Sequence, residues 1–133
     1  MTVFLDSSTL IAYFRKPDAN NAQAERLVDE LEASKEAKML TSHVFEEIVT
    51  YIQSRDGAER AFRVGQNILK NRNTQIMYAQ ENHVALALDR LRKFPGFSLC
   101  DALTSVLMEK NGIRKLYSFD SDFDRLTFIE RLH

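Results

Sequence analysis

The sequence predicts an α/β protein whose central, mainly parallel sheet of four to five strands is covered by helices on both faces. Short apolar runs alternate with longer segments whose apolar residues recur at helical spacing, which is typical of βαβ units with right-handed crossovers. The first run, Val3-Phe-Leu5, is continuously apolar, as expected for a strand buried on both faces. A length of 133 residues with 44% hydrophobic residues predicts a single domain spanning residues 1–133.

The first half of the chain contains two predicted strands and four predicted helices. Thr2–Leu5 forms the first strand. Small hydroxylic residues after Asp6 can cap a helix, which ends before Pro17 because proline cannot continue it. The remaining elements are a helix from Asn20 to about Ala33, a strand at Lys38–Thr41, a helix capped by Thr41-Ser42 that ends at Asp56-Gly57, and a helix from Ala58 to about Asn71.

The second half contains three predicted strands and two predicted helices. They are a strand at Gln75–Tyr78, a helix from Glu81 to about Phe94, a helix from Ser98 to Asn111-Gly112, a strand at Lys115–Phe119 and a short last strand at Thr127–Ile129. Helical periodicity predicts the buried stripe of the first of these helices to be Val84, Ala85, Leu88 and Leu91.

Bulk properties exclude several classes of protein. A single cysteine, Cys100, excludes an internal disulfide and a cysteine-rich zinc site. A formal net charge of −1 argues against a uniformly basic surface for nucleic acid, so any such contact needs a local basic patch. No apolar run approaches the ~20 residues of a membrane helix. With no leader pattern at the N-terminus, we expect a cytoplasmic protein that does not contact membranes.

Carboxylate side chains stand at the boundaries between predicted strands and the helices that follow them. Asp6 ends the first strand, whereas Asp120 and Asp122 follow the fourth. Glu46-Glu47 and Asp101 lie in the first turns of two helices. Because the carboxyl ends of parallel strands share one sheet edge with the helix N-termini that follow, these acids can converge. Gathered carboxylates repel one another, and an all-oxygen ligand set suits Mg²⁺ or Mn²⁺.

Each of these acids also has an ordinary structural explanation. Asp6 could satisfy backbone amides in a turn, and Asp101 completes a capping box with Ser98. The two acids after the fourth strand could cap a last helical turn. The glutamate pair could be a solvated helix face, and periodicity favours neither glutamate. A calcium loop is excluded, because Arg125 stands where that loop needs glycine.

Four segments that span almost the whole chain carry a family resemblance. They are Val3–Ala12, Leu40–Thr50, Phe97–Thr104 and Tyr117–Phe123. In order and spacing these segments resemble PIN domains, and within that family the VapC-type ribonuclease toxins of prokaryotic toxin–antitoxin pairs. The resemblance implies a three-layer α/β/α fold and an Mg²⁺- or Mn²⁺-dependent endoribonuclease that hydrolyses RNA phosphodiester bonds.

The resemblance also implies which residues form the site. The implied catalytic residues are Asp6, Glu47, Asp101 and Asp120, and the implied metal ligands are Asp6, Asp101, Asp120 and Asp122. Glu47 is implied rather than Glu46 because the family pattern places an apolar pair after its glutamate. Ser8, Thr104 and Asp122 match positions that support the acids.

The resemblance further implies partners. We expect an RNA substrate, a homodimer and a cognate antitoxin that inserts an arginine or lysine into the carboxylate cluster, with the second to fourth helices as docking surfaces. Arg55, Arg60 and Arg63 are candidate RNA contacts, although ordinary solvated faces explain them equally well. The small size of the chain favours a toxin over a free-standing PIN nuclease of RNA maturation or decay, or a non-catalytic PIN binding module.

Two other enzyme or signalling classes use an aspartate after the first strand. A haloacid-dehalogenase-type phosphatase needs a second aspartate two residues after Asp6, and Ser8 occupies that position. A receiver domain needs an adjacent acid pair before its phospho-acceptor and a late lysine, and the sequence offers no convincing match. Both classes are therefore disfavoured.

Overall fold

The computed structural model of this protein describes residues 1–133. Its elements are β1 (Thr2–Leu5), α1 (Ser7–Phe14), α2 (Asn21–Ser34), β2 (Ala37–Thr41), α3 (Ser42–Asp56), α4 (Ala58–Lys70), β3 (Thr74–Met77), α5 (Glu81–Lys93), α6 (Leu99–Lys110), β4 (Lys115–Tyr117), the 3₁₀ helix η1 (Ser121–Arg125) and β5 (Glu130–Leu132). None of the six α-helices combines the length and apolar character needed to cross a bilayer.

The five strands form one sheet in which every neighbouring pair is parallel, in the order β3-β2-β1-β4-β5. The chain builds outward from β1 through β2 to β3 and then returns to place β4 on the other side of β1. The order of the strands therefore reverses between β1 and β4. In open α/β sheets the crevice beyond the carboxyl ends of the strands at such a point is where ligands bind.

Two apolar cores lie on opposite faces of the sheet, as the continuous apolar run in β1 predicts. Val3 and Leu5 are buried against α1 to α4, whereas Phe4 faces the core under α5 and α6. Thr41 caps α3 as predicted, because its hydroxyl accepts a hydrogen bond of 3.0 Å from the amide of Val44. The predicted three-layer α/β/α fold is confirmed.

The prediction of the last strand at Thr127–Ile129 is wrong. Turns occupy that segment, where the amide of Ile129 donates to the carbonyl of Leu126 at 3.1 Å. The strand begins at Glu130, whose amide donates to the carbonyl of Arg114 at 2.7 Å. Thr, Phe and Ile favour strands in general, but here the amide of Ile129 is used by the turn and not by a neighbouring strand. The true strand carries charged residues, as edge strands commonly do.

The predicted buried stripe of α5 is also partly wrong. Ala85 is exposed and Leu88 is 52% exposed. Ala87 is fully buried instead, and Val84 and Leu91 pack beside it against the core. The two candidate stripes differ by a small rotation of the helix. Periodicity alone does not separate them, because each contains one alanine, and packing of the helix against the core places Ala87 rather than Ala85 inside.

Candidate active site

Asp6 is buried at the carboxyl end of β1 and is held by two serine hydroxyls. Its side chain is 3% exposed. The hydroxyls of Ser8 and Ser118 donate to the same oxygen, Oδ2, at 2.9 and 2.7 Å. Asp6 also occupies the position before α1, but no side-chain hydrogen bond caps that helix. The position of Asp6 is thus not explained by helix capping.

The same two serines join the ends of β1 and β4. Ser8 Oγ accepts from the amide of Phe119 at 3.0 Å, and Ser118 Oγ accepts from the amide of Asp120 at 3.0 Å. Each hydroxyl therefore accepts from the loop after β4 and donates to Asp6. This network fixes the position of the Asp6 carboxylate between the ends of β1 and β4, where the order of the strands reverses.

Asp120 follows β4 directly and caps the short helix η1. Its Oδ1 accepts from the amide of Asp122 at 2.9 Å. Asp120 and Asp122 are both half-buried. The alternative explanation as a cap for a last helical turn is thus correct for Asp120, and it is compatible with a site, because the other carboxylate oxygen of Asp120 has no hydrogen-bond partner within the protein.

Asp101 reaches the same edge from the opposite helical layer. The capping box with Ser98 is present: Asp101 Oδ2 accepts from the Ser98 amide at 3.2 Å, and Ser98 Oγ accepts from the Asp101 amide at 3.0 Å. Oδ1 of Asp101 makes no hydrogen bond within the protein. Capping and ligand binding can therefore use different oxygens of one carboxylate.

Burial and neighbouring carboxylates both raise the pKa values of Asp6 and Asp101. Burial raises the pKa of Asp6, the hydroxyls of Ser118 and Ser8 offset part of that rise, and the charge of Glu47 adds to it. Burial also raises the pKa of Asp101 to about 6, and the charges of Asp6 and Asp120 add to the effect. None of the groups that shift these pKa values is a cation.

Glu47 and Glu46 are both exposed on α3. Only Glu47 contributes to the raised pKa of Asp6. The pKa of half-buried Cys100 is raised to about 12, by burial first and then by the charges of Glu47, Asp6, Asp101 and Glu46. Such a thiol stays protonated at neutral pH and is a poor nucleophile. Of the two glutamates, Glu47 has the larger effect on the pKa of Cys100, and its charge also adds to the rise in the pKa of Asp6.

The donor set fits a hard divalent cation held partly through water. No group of three or more His, Cys, Asp or Glu side chains is arranged to hold a metal ion by itself. Mg²⁺, however, usually keeps several waters and uses one or two carboxylates. Asp101 and Asp120 each present a carboxylate oxygen without a protein partner. Thr104, one turn after Asp101, has a fully buried hydroxyl that also lacks a partner. Apart from the thiol of Cys100, the unpartnered donors at this edge are therefore oxygens.

The three arginines predicted to contact substrate lie far from the carboxylates. Arg55 follows Glu47 by eight residues, which is about 12 Å along the helix axis. Its guanidinium stacks on Tyr51 with the centroid 5.1 Å away. Arg60 donates to the carbonyl of Phe14 at 2.9 Å, and Arg63 pairs with Glu59 at 3.2 Å. These arginines form a separate surface at the junction of α3 and α4.

Ser118 was not singled out from the sequence, although it is the closest hydroxyl to Asp6. The sequence shows that Ser118 lies between β4 and Asp120 and that small hydroxylic residues follow Asp6. The sequence does not show that β1 pairs with β4, because these two adjacent strands are far apart in the chain.

Ser118→Ala is expected to lower metal affinity or cleavage about 10- to 100-fold, the cost of removing a group that orients a ligand. The substitution removes the shortest hydrogen bond to Asp6, so the pKa of Asp6 should rise further. Stability should fall by only about 1 kcal/mol. Cleavage assays and thermal melts measure both effects. Ser54→Ala, which removes an exposed hydroxyl on α3, is the control, and equal activities of the two variants would contradict the assigned role.

Comparison with known proteins places this chain in a family. A model described as the PIN domain matches residues 3–129, so the chain belongs to the PIN domain family. No curated protein matches the sequence.

The likeness extends to individual solved structures. VapC20 of Mycobacterium tuberculosis, a toxin that cleaves the sarcin-ricin loop, shares 27% identity with a TM-score of 0.83 over 96% of this chain and 97% of that one. VapBC2 of Rickettsia felis, bound to a DNA fragment from its promoter, has 13% sequence identity and a TM-score of 0.75. The match covers 99% of this chain and 98% of that one. A toxin–antitoxin complex of Klebsiella pneumoniae has 13% sequence identity and a TM-score of 0.69, and the match covers 96% of this chain and 95% of that one. The predicted resemblance to VapC-type PIN proteins is confirmed.

Proposed function

We propose that this protein is a metal-dependent endoribonuclease and the toxin of a VapBC-type toxin–antitoxin pair. The observation that carries the proposal is the placement of three carboxylates: Asp6 and Asp120 follow the paired strands β1 and β4, and Asp101 lies in the first turn of α6. Burial and then the charges of Asp6 and Asp120 raise the pKa of Asp101. Family membership and the likeness to VapC20 support a nuclease in general. The finer assignment rests on the chemistry of the carboxylates.

The carboxylates have distinct roles in this proposal. Asp6, Asp101 and Asp120 hold Mg²⁺ or Mn²⁺, directly or through water, and Asp122 supports them by fixing Asp120. Glu47 is exposed and makes no hydrogen bond, so it is free to orient the attacking water toward the phosphate. A bound divalent cation lowers the pKa of coordinated water and neutralises charge on the phosphate oxygens. Ser8 and Ser118 keep the Asp6 carboxylate fixed while substrate enters.

An antitoxin is the proposed partner of this edge. Two of the similar structures are toxin–antitoxin assemblies or parts of them. A crevice with uncompensated carboxylates attracts a guanidinium or ammonium group, and charge-assisted hydrogen bonds make such a contact strong. An arginine or lysine of the antitoxin inserted here would compete with the metal ion and thereby inhibit cleavage.

A homodimer is proposed to form through α3 and α4. Phe62 is 61% exposed and Leu69 is 57% exposed. Together with Phe45, Val49 and Gly65 they line an apolar groove with a volume of about 200 Å³ between the two helices. Large apolar side chains grouped on one exposed face mark an interaction surface. In such a dimer Arg55, Arg60 and Arg63 remain at the rim, where they can contact RNA phosphates.

Purified protein is expected to cleave RNA in Mg²⁺ or Mn²⁺ and to lose the activity in EDTA, with recovery when the metal ion is restored. Mapping the ends of the products from total RNA would identify the target, which the chain itself does not reveal. Activity that is equal with and without the chelator would rule out the metal-dependent mechanism.

A further inference from the structure

Arg125, at the end of η1, is held rigidly although its side chain is exposed. Its Nη1 donates to the carbonyl of Pro95 at 2.8 Å. Its guanidinium carbon lies 5.5 Å from the ring centroid of Phe94 and 5.2 Å from that of Phe97. Stacking on two aromatic faces together with a carbonyl acceptor fixes the plane of the guanidinium. An exposed arginine usually lacks such restraint.

The guanidinium lies on the same edge of the sheet as the carboxylates. The helix η1 is capped by Asp120 and ends at Arg125. Nη1 of Arg125 and Oδ2 of Asp122 each lie 3.9 Å from the point where a Cβ atom of residue 96 would stand. Residue 96 is glycine with φ +105°, so the loop passes between these two charged groups without a side chain. Arg125 is thus a neighbour of the metal-binding edge.

Most of the hydrogen-bonding capacity of Arg125 is unused. Nε and Nη2 make no hydrogen bond, and no carboxylate lies within 4.0 Å of the guanidinium nitrogens. Arg131, the other arginine that contacts the loop after β4, is instead paired with Asp124 at 2.8 and 2.9 Å. Arg125 therefore presents free donors on Nε and Nη2, and its guanidinium forms no direct ion pair.

We propose that Arg125 binds a non-bridging oxygen of an RNA phosphate adjacent to the one that is cleaved. This inference rests on the proposed nuclease function and adds a substrate-binding residue to it. A polyanion that approaches a carboxylate cluster is repelled, so a nearby cation is needed to hold it. The guanidinium fork matches phosphate geometry, and a side chain that is already fixed loses little entropy on binding.

A purely structural role for Arg125 makes different predictions. The side chain joins η1 to the loop before Ser98, and Phe97 packs on Phe123 with centroids 5.5 Å apart. If Arg125 only braced this loop, its removal would misplace Asp101 and Asp120. The turnover number and the melting temperature would then fall, whereas the salt dependence of RNA binding would stay the same. Phosphate binding instead raises KM and changes the salt dependence.

The test compares Arg125→Gln, Arg125→Lys and Arg114→Gln in the full chain. Arg114 is exposed just before β4, at the opposite sheet edge, and its side chain makes no hydrogen bond. Affinity for a short single-stranded RNA is measured over a range of salt, with Ca²⁺ in place of Mg²⁺. Arg125→Gln should weaken binding about tenfold and make the slope of log affinity against log salt shallower by about 0.7. Arg125→Lys should keep the slope, and Arg114→Gln should match wild type.

A second measurement does not depend on the folding of a variant. The Nε–Hε resonance of Arg125 in the wild-type protein should shift when the RNA is added. An unmoved resonance, or an Arg125→Gln variant with wild-type affinity and slope, would overturn the proposal while metal-dependent cleavage by the wild type still stood. A wild-type protein that neither binds nor cleaves RNA would overturn both this proposal and the proposed function.

Discussion

Asp101→Asn is expected to lower metal-dependent RNA cleavage by more than about a hundredfold. Removing a group that only orients a metal ligand costs about 10- to 100-fold, and removing the ligand itself should cost more. Asparagine removes the negative charge but keeps an oxygen that can accept from the Ser98 amide, so the capping box of α6 can persist. The measured quantity is the initial rate of cleavage of a labelled RNA at saturating Mg²⁺ or Mn²⁺.

The matched control for that experiment is Asp29→Asn. Asp29 is an exposed residue of α2 without a hydrogen-bond partner, so the same change of charge is made outside the site. Circular dichroism of both variants checks the fold. Cleavage by Asp101→Asn within about fivefold of the control would remove Asp101 from the catalytic residues.

The same substitution should stabilise the metal-free protein. The pKa of Asp101 is about 6 in the folded chain and 3.8 as the reference value, so the native state binds more protons than the unfolded state between these values. Stability contributed by this group therefore falls as the pH rises from about 4 to about 6 and stays low above that range. Two pKa units correspond to roughly 3 kcal/mol, and partial solvent exposure reduces this to about 1–2 kcal/mol.

Thermal melts in EDTA test this expectation. At pH 7 to 8, Asp101→Asn should melt roughly 3–8 °C above wild type, and the difference should shrink as the pH falls below the reference pKa of 3.8, where Asp101 becomes protonated in both states. Added Mg²⁺ should raise the melting temperature of wild type and leave that of the variant nearly unchanged, because only the wild type binds the ion tightly. A variant that is less stable than wild type at pH 8 would show that Asp101 is a structural residue.

Those features of the fold that arise from local chemistry were predictable. The continuous apolar run of β1 indicated burial on both faces, and Val3, Phe4 and Leu5 are all buried. The threonine cap of α3 and the capping box of α6 follow from residues three positions apart. The last strand was misplaced because its true residues, Glu130-Arg-Leu132, carry no strand signal of their own. Their pairing with β4 decides their conformation.

The location of the candidate acids at boundaries between strands and helices was also predictable. What the sequence could not supply was the order of the strands. The contact of Ser118 with Asp6 exists only because β4 pairs with β1. The effect of the Glu47 charge on the pKa of Asp6 and the stacking of Arg125 on Phe94 and Phe97 depend in the same way on tertiary packing.

The chemistry of the product ends tests the central claim most directly. If a water molecule activated at Asp6, Asp101 and Asp120 attacks the phosphate, the products carry linear phosphate and hydroxyl ends. Mass spectrometry of a short RNA cleaved in Mn²⁺ should then show no 2′,3′-cyclic phosphate, and reaction in ¹⁸O-labelled water should place one label on the product phosphate. Cleavage that gives cyclic phosphate ends, persists in EDTA or survives in Asp6→Asn would contradict the account.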